Sequence, residues 1–173
     1  MRLLLPVLLL LLASCSHIKR LDWKQESFSG TLMVPKGWER KIPDGPAQSQ
    51  RLFQQHGNFD ASSPTITMDV SSRFDQHFPK NAEGCALSYL DGIHDVHDDS
   101  VRFTKVGIIM NPEFGQVALY HYHSRWYGNH LLSFLVSSDS FIQLELWAKT
   151  MKEMKANQPS FELFVQGVEI KRR

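Results

Sequence analysis

Two short runs in this chain concentrate side chains able to do chemistry. The first is His121-Tyr122-His123-Ser124-Arg125-Trp126-Tyr127. In an extended strand successive side chains alternate between faces, so His121, His123, Arg125 and Tyr127 share one face while Tyr120, Tyr122, Ser124 and Trp126 share the other. Two imidazoles two residues apart can share a divalent metal, and with Arg125 beside them they could instead hold an anion. Tyr, Trp and Arg also dominate the energetics of protein interfaces. His121, His123, Arg125 and Tyr127 are therefore the expected binding face.

The second run is His94-Asp95-Val96-His97-Asp98-Asp99. Imidazole and carboxylate ligands suit divalent transition metals, but this spacing matches no closed metal motif. The run also falls where a helix must give way to a strand through a polar connection. His94, His97, His121 and His123 remain metal candidates without a recognisable ligand set, and a divalent-metal-binding protein is the alternative they support. Glu145, on a strand expected over 141–149, shares a face with Gln143, Trp147 and Lys149 if Ile142, Leu144, Leu146 and Ala148 face the core. Whether that face is also the one carrying His121 depends on strand register.

Signatures of catalysis are missing. The chain has no Gly-x-Ser-x-Gly elbow, no His-Glu-x-x-His and no phosphate-cradling glycine loop, and Cys85 lacks the context of a nucleophile. Neither enzymatic activity nor a cofactor is expected.

The N-terminus makes a different demand. Arg2 precedes an apolar stretch over residues 3–12, interrupted by Pro6. A bilayer-spanning helix needs about 20 apolar residues, so this run fits the h-region of an export signal. Leu12-Ala13-Ser14-Cys15 follows, and it resembles the lipobox of bacterial lipoproteins at every position: aliphatic, small, small, Cys. That resemblance implies cleavage after Ser14, a diacylglyceryl thioether on Cys15 and usually acylation of the new amine. Two or three acyl chains, at about 0.8 kcal/mol per buried methylene, anchor a protein stably where one does not. In enteric-type bacteria Asp after the cysteine retains a lipoprotein in the inner membrane. Ser16 thus points to the outer membrane, with the domain facing the periplasm.

The 173 residues hold 19 Lys+Arg against 18 Asp+Glu, and loss of Arg2 with the signal would leave the two balanced. Such neutrality argues against nucleic acid as a partner. The chain carries 2 cysteines. Lipidation of Cys15 would leave Cys85 without an intramolecular partner, and its place on the apolar side of a helix predicts burial.

Several elements must position these residues. Residues 1–14 read as the signal and 15–25 as a polar, basic tether with a lone Trp23. Residues 26–173 read as one domain. Strands are expected over 28–34, resuming at Trp38, and over 49–56, 65–71, 100–110, 115–126, 130–138 and 141–149. The last four are joined by links rich in Asn, Gly, Asp and Pro, which predicts an antiparallel meander. Asn81 should cap a helix whose stripe is Ala82, Cys85, Ala86, Tyr89, Leu90 and Ile93, ending by His94 or Val96. A C-terminal helix is expected with Pro159 in its first turn and Phe161, Phe164, Val165 and Val168 on its buried side.

This order of elements, with Val34-Pro35-Lys36-Gly37-Trp38 after the first strand and Phe164-Val165-Gln166-Gly167-Val168 closing the last helix, resembles the PsbP-like proteins. They include the PsbP subunit of photosystem II and DcrB-type bacterial lipoproteins. The resemblance implies an α+β fold, a central antiparallel sheet with helices packed on its faces, and an accessory or binding role without a catalytic motif. The expectation is a lipid-anchored envelope protein. It would bind a protein partner in the envelope, with no group bound other than the lipid on Cys15. An immunity protein against a secreted toxin is a further alternative.

Overall fold

The computed structural model describes residues 18–25, 28–41, 51–55, 63–72, 79, 81–96, 100–125, 128–138 and 140–171. The expected lipobox, Leu12 to Cys15, lies outside them, as do His97 and Tyr127.

Alternating burial builds the strands. On β9 (Ser140–Ala148) Ile142, Leu144, Leu146 and Ala148 are fully buried, and Phe141, Gln143, Glu145 and Trp147 between them are half-buried. β9 pairs antiparallel with β5 (Thr65–Ser72) on one side and with β8 (Gly128–Val136) on the other. β7 (Gly115–Ser124) and β6 (Thr104–Asn111) extend the sheet beyond β8, and β4 (Arg51–Gln55) and β3 (Trp38–Lys41) extend it beyond β5. The result is a seven-stranded sheet ordered β3-β4-β5-β9-β8-β7-β6, with β6 to β9 forming the expected meander. Gly128 closes the β7–β8 connection at φ 84°, where a Cβ would stand 2.9 Å from the Ala148 carbonyl.

Each face of this sheet carries a helix. α1 (Ala82–Val96) covers one, placing Cys85 and Ala86 against Leu132 and Phe134. Cys85 is buried there, as its helical stripe predicts. α2 (Met151–Gln166) covers the other, where Phe164 meets Trp38 edge-on at 5.9 Å and Phe53 at 5.0 Å.

The C-terminal helix starts earlier than Pro159 suggests. Thr150 caps it: its hydroxyl accepts from the Glu153 N–H at 3.2 Å, and the Glu153 carboxylate accepts from the Thr150 N–H at 2.9 Å. Two otherwise orphaned donors are satisfied reciprocally, which fixes the start at Met151. Pro159 therefore stands inside α2, on a side where Lys155, Ala156 and Pro159 are all exposed. Water can serve the carbonyl that a proline leaves without its helical donor. β6 begins at Thr104 rather than at residue 100, because 101–103 run as coil with Val101 buried.

The tether expectation is also corrected. Lys19–Gln25 is a strand, β1, pairing along its whole length with β2 (Phe28–Val34). Trp23 is buried in the main core, and its indole N–H donates to the Thr31 carbonyl at 3.2 Å. Its ring lies over Gly30, its cross-strand partner, where an added Cβ would come within 2.5 Å of the indole and collide with the Glu169 carbonyl. β10 (Glu169–Ile170) joins the far side of β2, completing a three-stranded sheet packed beside α2.

Asn111 ties these layers together. Its amide donates to the carbonyls of Val165 at 2.7 Å, Val168 at 3.0 Å and Gln166 at 3.2 Å, and its carbonyl accepts from the N–H groups of Glu113 and Phe114. One buried side chain thus closes both the C-terminus of α2 and the β6–β7 turn. Asn111→Ala leaves those groups unanswered and should destabilise the fold by roughly 2–3 kcal/mol in urea unfolding, whereas Gln166→Ala, on the exposed side, should stay within roughly 0.5 kcal/mol.

Candidate functional site

Under α1 the sheet carries a polar cluster centred on Glu145. Register brings it together: Glu145 lies opposite Leu132 on β8, His130 is two residues along on the same face, and Tyr122 on β7 lies opposite His130. Tyr89 approaches from α1. The carboxylate takes the Tyr122 hydroxyl at 2.7 Å and His130 Nδ1 at 2.7 Å on Oε1, and the Tyr89 hydroxyl at 3.2 Å on Oε2. Aromatic rings wall the cluster. The His130 imidazole stacks on Tyr122 at 4.3 Å and 9°, and Phe103 stacks on the other side of Tyr122 at 4.9 Å.

The electrostatics follow from burial. Desolvation pushes the Glu145 carboxyl upward, but the His130 bond and charge and the two tyrosine hydroxyls outweigh it, and its pKa is held below the ordinary value. Tyr89 and Tyr122 are raised strongly, first by burial and then by the neighbouring carboxylate, so both remain neutral donors. His130 Nδ1 donates to the carboxylate, an assignment made from the hydrogen-bond network. Its Nε2 is buried without a partner. A general base must reach the proton it abstracts. In this arrangement the cluster orients rings and pins α1 to the sheet.

The residues singled out by sequence fall elsewhere. Within β7 the alternation is as read: His121 and His123 share the face of Val117 and Leu119, toward α2, and Tyr120 and Tyr122 face α1, while Arg125 stands in the turn beyond the strand. Glu145 therefore lies on the opposite face from His121 and His123. His123 and Arg125 are exposed. His121 is half-buried, its Nε2 has no partner, and its pKa is lowered by burial and by the nearby His123 and His130, with Asn129 opposing. His94 closes the end of α1, its Nε2 lying 2.8 Å from the Val101 carbonyl. Among the described residues no three His, Cys, Asp or Glu side chains gather as a metal would require.

Two members of the cluster, His130 and Tyr89, were not singled out from the sequence. His130 opens a strand in which every residue from Asn129 to Leu135 is buried, so no alternation marks it. Beside the cluster, an open cleft of about 650 Å³ runs between α1 and β6–β7, lined by Glu83, Leu87, Phe103, Lys105 and Tyr120 among others. His130, Tyr122 and Glu145 do not line it.

With the geometry in place, comparison with known proteins is informative at the level of fold. No family model matches the chain, and no curated protein matches it. Solved structures do. The solution structure of cyanobacterial PsbP (CyanoP) from Synechocystis sp. PCC 6803 aligns over 90% of this chain and 94% of its own, at TM-score 0.59 and 11% identity. The architecture is PsbP-like. The crystal structure of LpqN, involved in cell envelope biogenesis of Mycobacterium tuberculosis, aligns over 91% of this chain and 94% of its own, at TM-score 0.54 and 14% identity. The α+β class and the sheet with helices on its faces are thus those expected.

The cluster has a measurable pH signature. A carboxyl with a depressed folded pKa contributes stability that is fully present above its unfolded value, near 4.5, and is lost as pH falls through the folded value. Glu145→Gln should lower stability at neutral pH by roughly 3 kcal/mol, because it replaces the charged acceptor shared by three buried donors. It should also flatten the acid limb of a plot of stability against pH below about 4.5. Urea unfolding from pH 7 to pH 3 reads both, and an unchanged acid limb would assign the loss to other carboxylates.

Proposed function

We infer that this chain is a lipid-anchored envelope protein whose α+β domain serves as a non-enzymatic binding or accessory module. The observation that carries the reading is Leu12-Ala13-Ser14-Cys15 behind a basic and leucine-rich leader. Shared fold adds support, since LpqN is described as involved in cell envelope biogenesis. Among the described residues no helix is long and apolar enough to cross a membrane, so attachment through Cys15 would be the means of membrane association this reading uses.

The Glu145 cluster supports the non-enzymatic half. Its carboxylate is occupied by three protein donors and its free imidazole nitrogen is sealed. Function is then assigned to surface. The exposed His123 and Arg125 at the end of β7, with Tyr127 beyond them in sequence, are the proposed contact for a protein partner. No nucleic acid is invoked.

Labelling intact cells with an alkyne-bearing palmitate tests the anchor. The native chain should carry label and sediment with membranes, and Cys15→Ser should lose the label and keep its leader. Labelling of the Cys15→Ser chain to the native level would overturn the anchor. A photoreactive residue at His123 should yield a discrete adduct with an envelope protein, and its absence would count against the contact face.

A further inference from the structure

The cleft between α1 and the β6–β7 pair belongs neither to the Glu145 cluster nor to the His123 face. Its space comes from small side chains: Ala82 and Ala86 on α1 look across to Ala118 on the β7 floor, and at about 650 Å³ it falls within the range of roughly 300–1,000 Å³ that holds drug-sized ligands. Leu87 and Leu90 continue the apolar wall, and Phe103 and Tyr120 close the floor with ring centroids 6.2 Å apart. Two full charges enter it from opposite sides. Glu83 stands on the helix wall and Lys105 on the β6 wall, both exposed, and among the described residues no ion pair joins them. The field of Glu83 reaches the floor, since burial first and its charge second raise the pKa of the Tyr120 hydroxyl.

We propose that this cleft binds a short apolar peptide with free termini, its ammonium held by Glu83 and its carboxylate by Lys105. Charge decides among the occupants. A cation would meet Glu83 and the two rings but also the Lys105 ammonium. An anion would meet Lys105 but also the Glu83 carboxylate, and donors at the start of α1 are already taken, the Gly84 N–H by Asn81 Oδ1 at 2.7 Å and the Cys85 N–H by the Asn81 carbonyl at 3.0 Å. A neutral apolar molecule would strip water from both charges and answer neither. A zwitterion meets one opposite charge on each wall and no like charge.

Size and apolarity select a peptide among zwitterions. A free amino acid carries both charges on one carbon and leaves most of the space empty, whereas a di- or tripeptide sets its termini apart, toward opposite walls, with its side chains over Ala118 and against Leu87 and Leu90. Gln116, also in the lining, offers an amide to the peptide bonds between them. The two rings of the floor add apolar surface and a negative π face for the ammonium. The site lies apart from the proposed His123 contact and needs no lipid on Cys15, so it is tested independently of both.

Equilibrium dialysis of tritiated Leu-Leu-Leu against the full chain purified from cells tests the site. Binding should saturate at one peptide per chain, and acetylating the peptide amine or amidating its carboxyl should each weaken it about tenfold or more, the value of one charge-assisted hydrogen bond. The caps should pair with the walls. In Glu83→Gln the acetyl cap should cause no further loss while the amide cap still does, and in Lys105→Gln the reverse should hold. Both side chains are exposed, so these variants should keep the native melting transition. Free leucine should bind at least about tenfold more weakly than the tripeptide. Absence of saturable binding at millimolar peptide would overturn the proposal, as would equal binding of the uncapped and doubly capped peptides, or cap effects that persist unchanged in both variants. Free leucine bound as tightly as the tripeptide would overturn the peptide in favour of an amino acid.

Discussion

A carboxylate enclosed between a helix and a sheet must be answered by donors, and the answer to Glu145 organises the α1 half of this molecule. Three hydrogen bonds converge on it from three elements: Tyr89 on α1, Tyr122 on β7 and His130 on β8. Satisfying that charge requires the β7–β8–β9 register and the docking of α1 to be correct at once. A slip of one residue would turn every side chain of a strand to the opposite face and strand the charge. The apolar contacts under α1, with Leu132 and Phe134 at their centre, are compatible with helix placement. The hydrogen bonds specify it.

The α2 face works by a different rule. There the sheet presents a mainly apolar surface to Met154, Phe161, Phe164 and Val165, and amides fasten the helix, Asn111 gathering its C-terminal end and Asn157 accepting from Gln55 at 2.6 Å. One face is held by a charge in the middle, the other by neutral amides. Both devices act on strands of the same sheet, so the two layers fold against a shared frame.

Much of this frame is legible in sequence because side-chain period decides it. Alternation along 141–148 and 117–124 assigns faces correctly, and the stripe Ala82, Cys85, Ala86 and Tyr89 places α1 with its apolar side to the sheet. What period cannot supply is offset between strands, and the Glu145 cluster is made of offset. His130 is hidden by a strand covered on both sides, and in Tyr89 the ring that marks the stripe says nothing of its hydroxyl. Other misses had a readable signal. Thr150-x-x-Glu153 is a capping box that outranks Pro159 as a helix start, and Leu21 and Trp23 alternate with charged residues as a half-buried strand should.

The early start of β1 alters what a membrane anchor would mean for this protein. Lys19 already pairs with Val34, and it stands four positions after Cys15. Four extended residues span about 14 Å at most, less than half the thickness of a hydrocarbon core of roughly 30 Å. A lipid on Cys15 would therefore act as a bracket with little slack. It would hold the β1–β2–β10 sheet close against the headgroups, with Lys19, Arg20 and Lys24 at the contact. Only the surfaces directed away from that sheet would be offered to the compartment beyond.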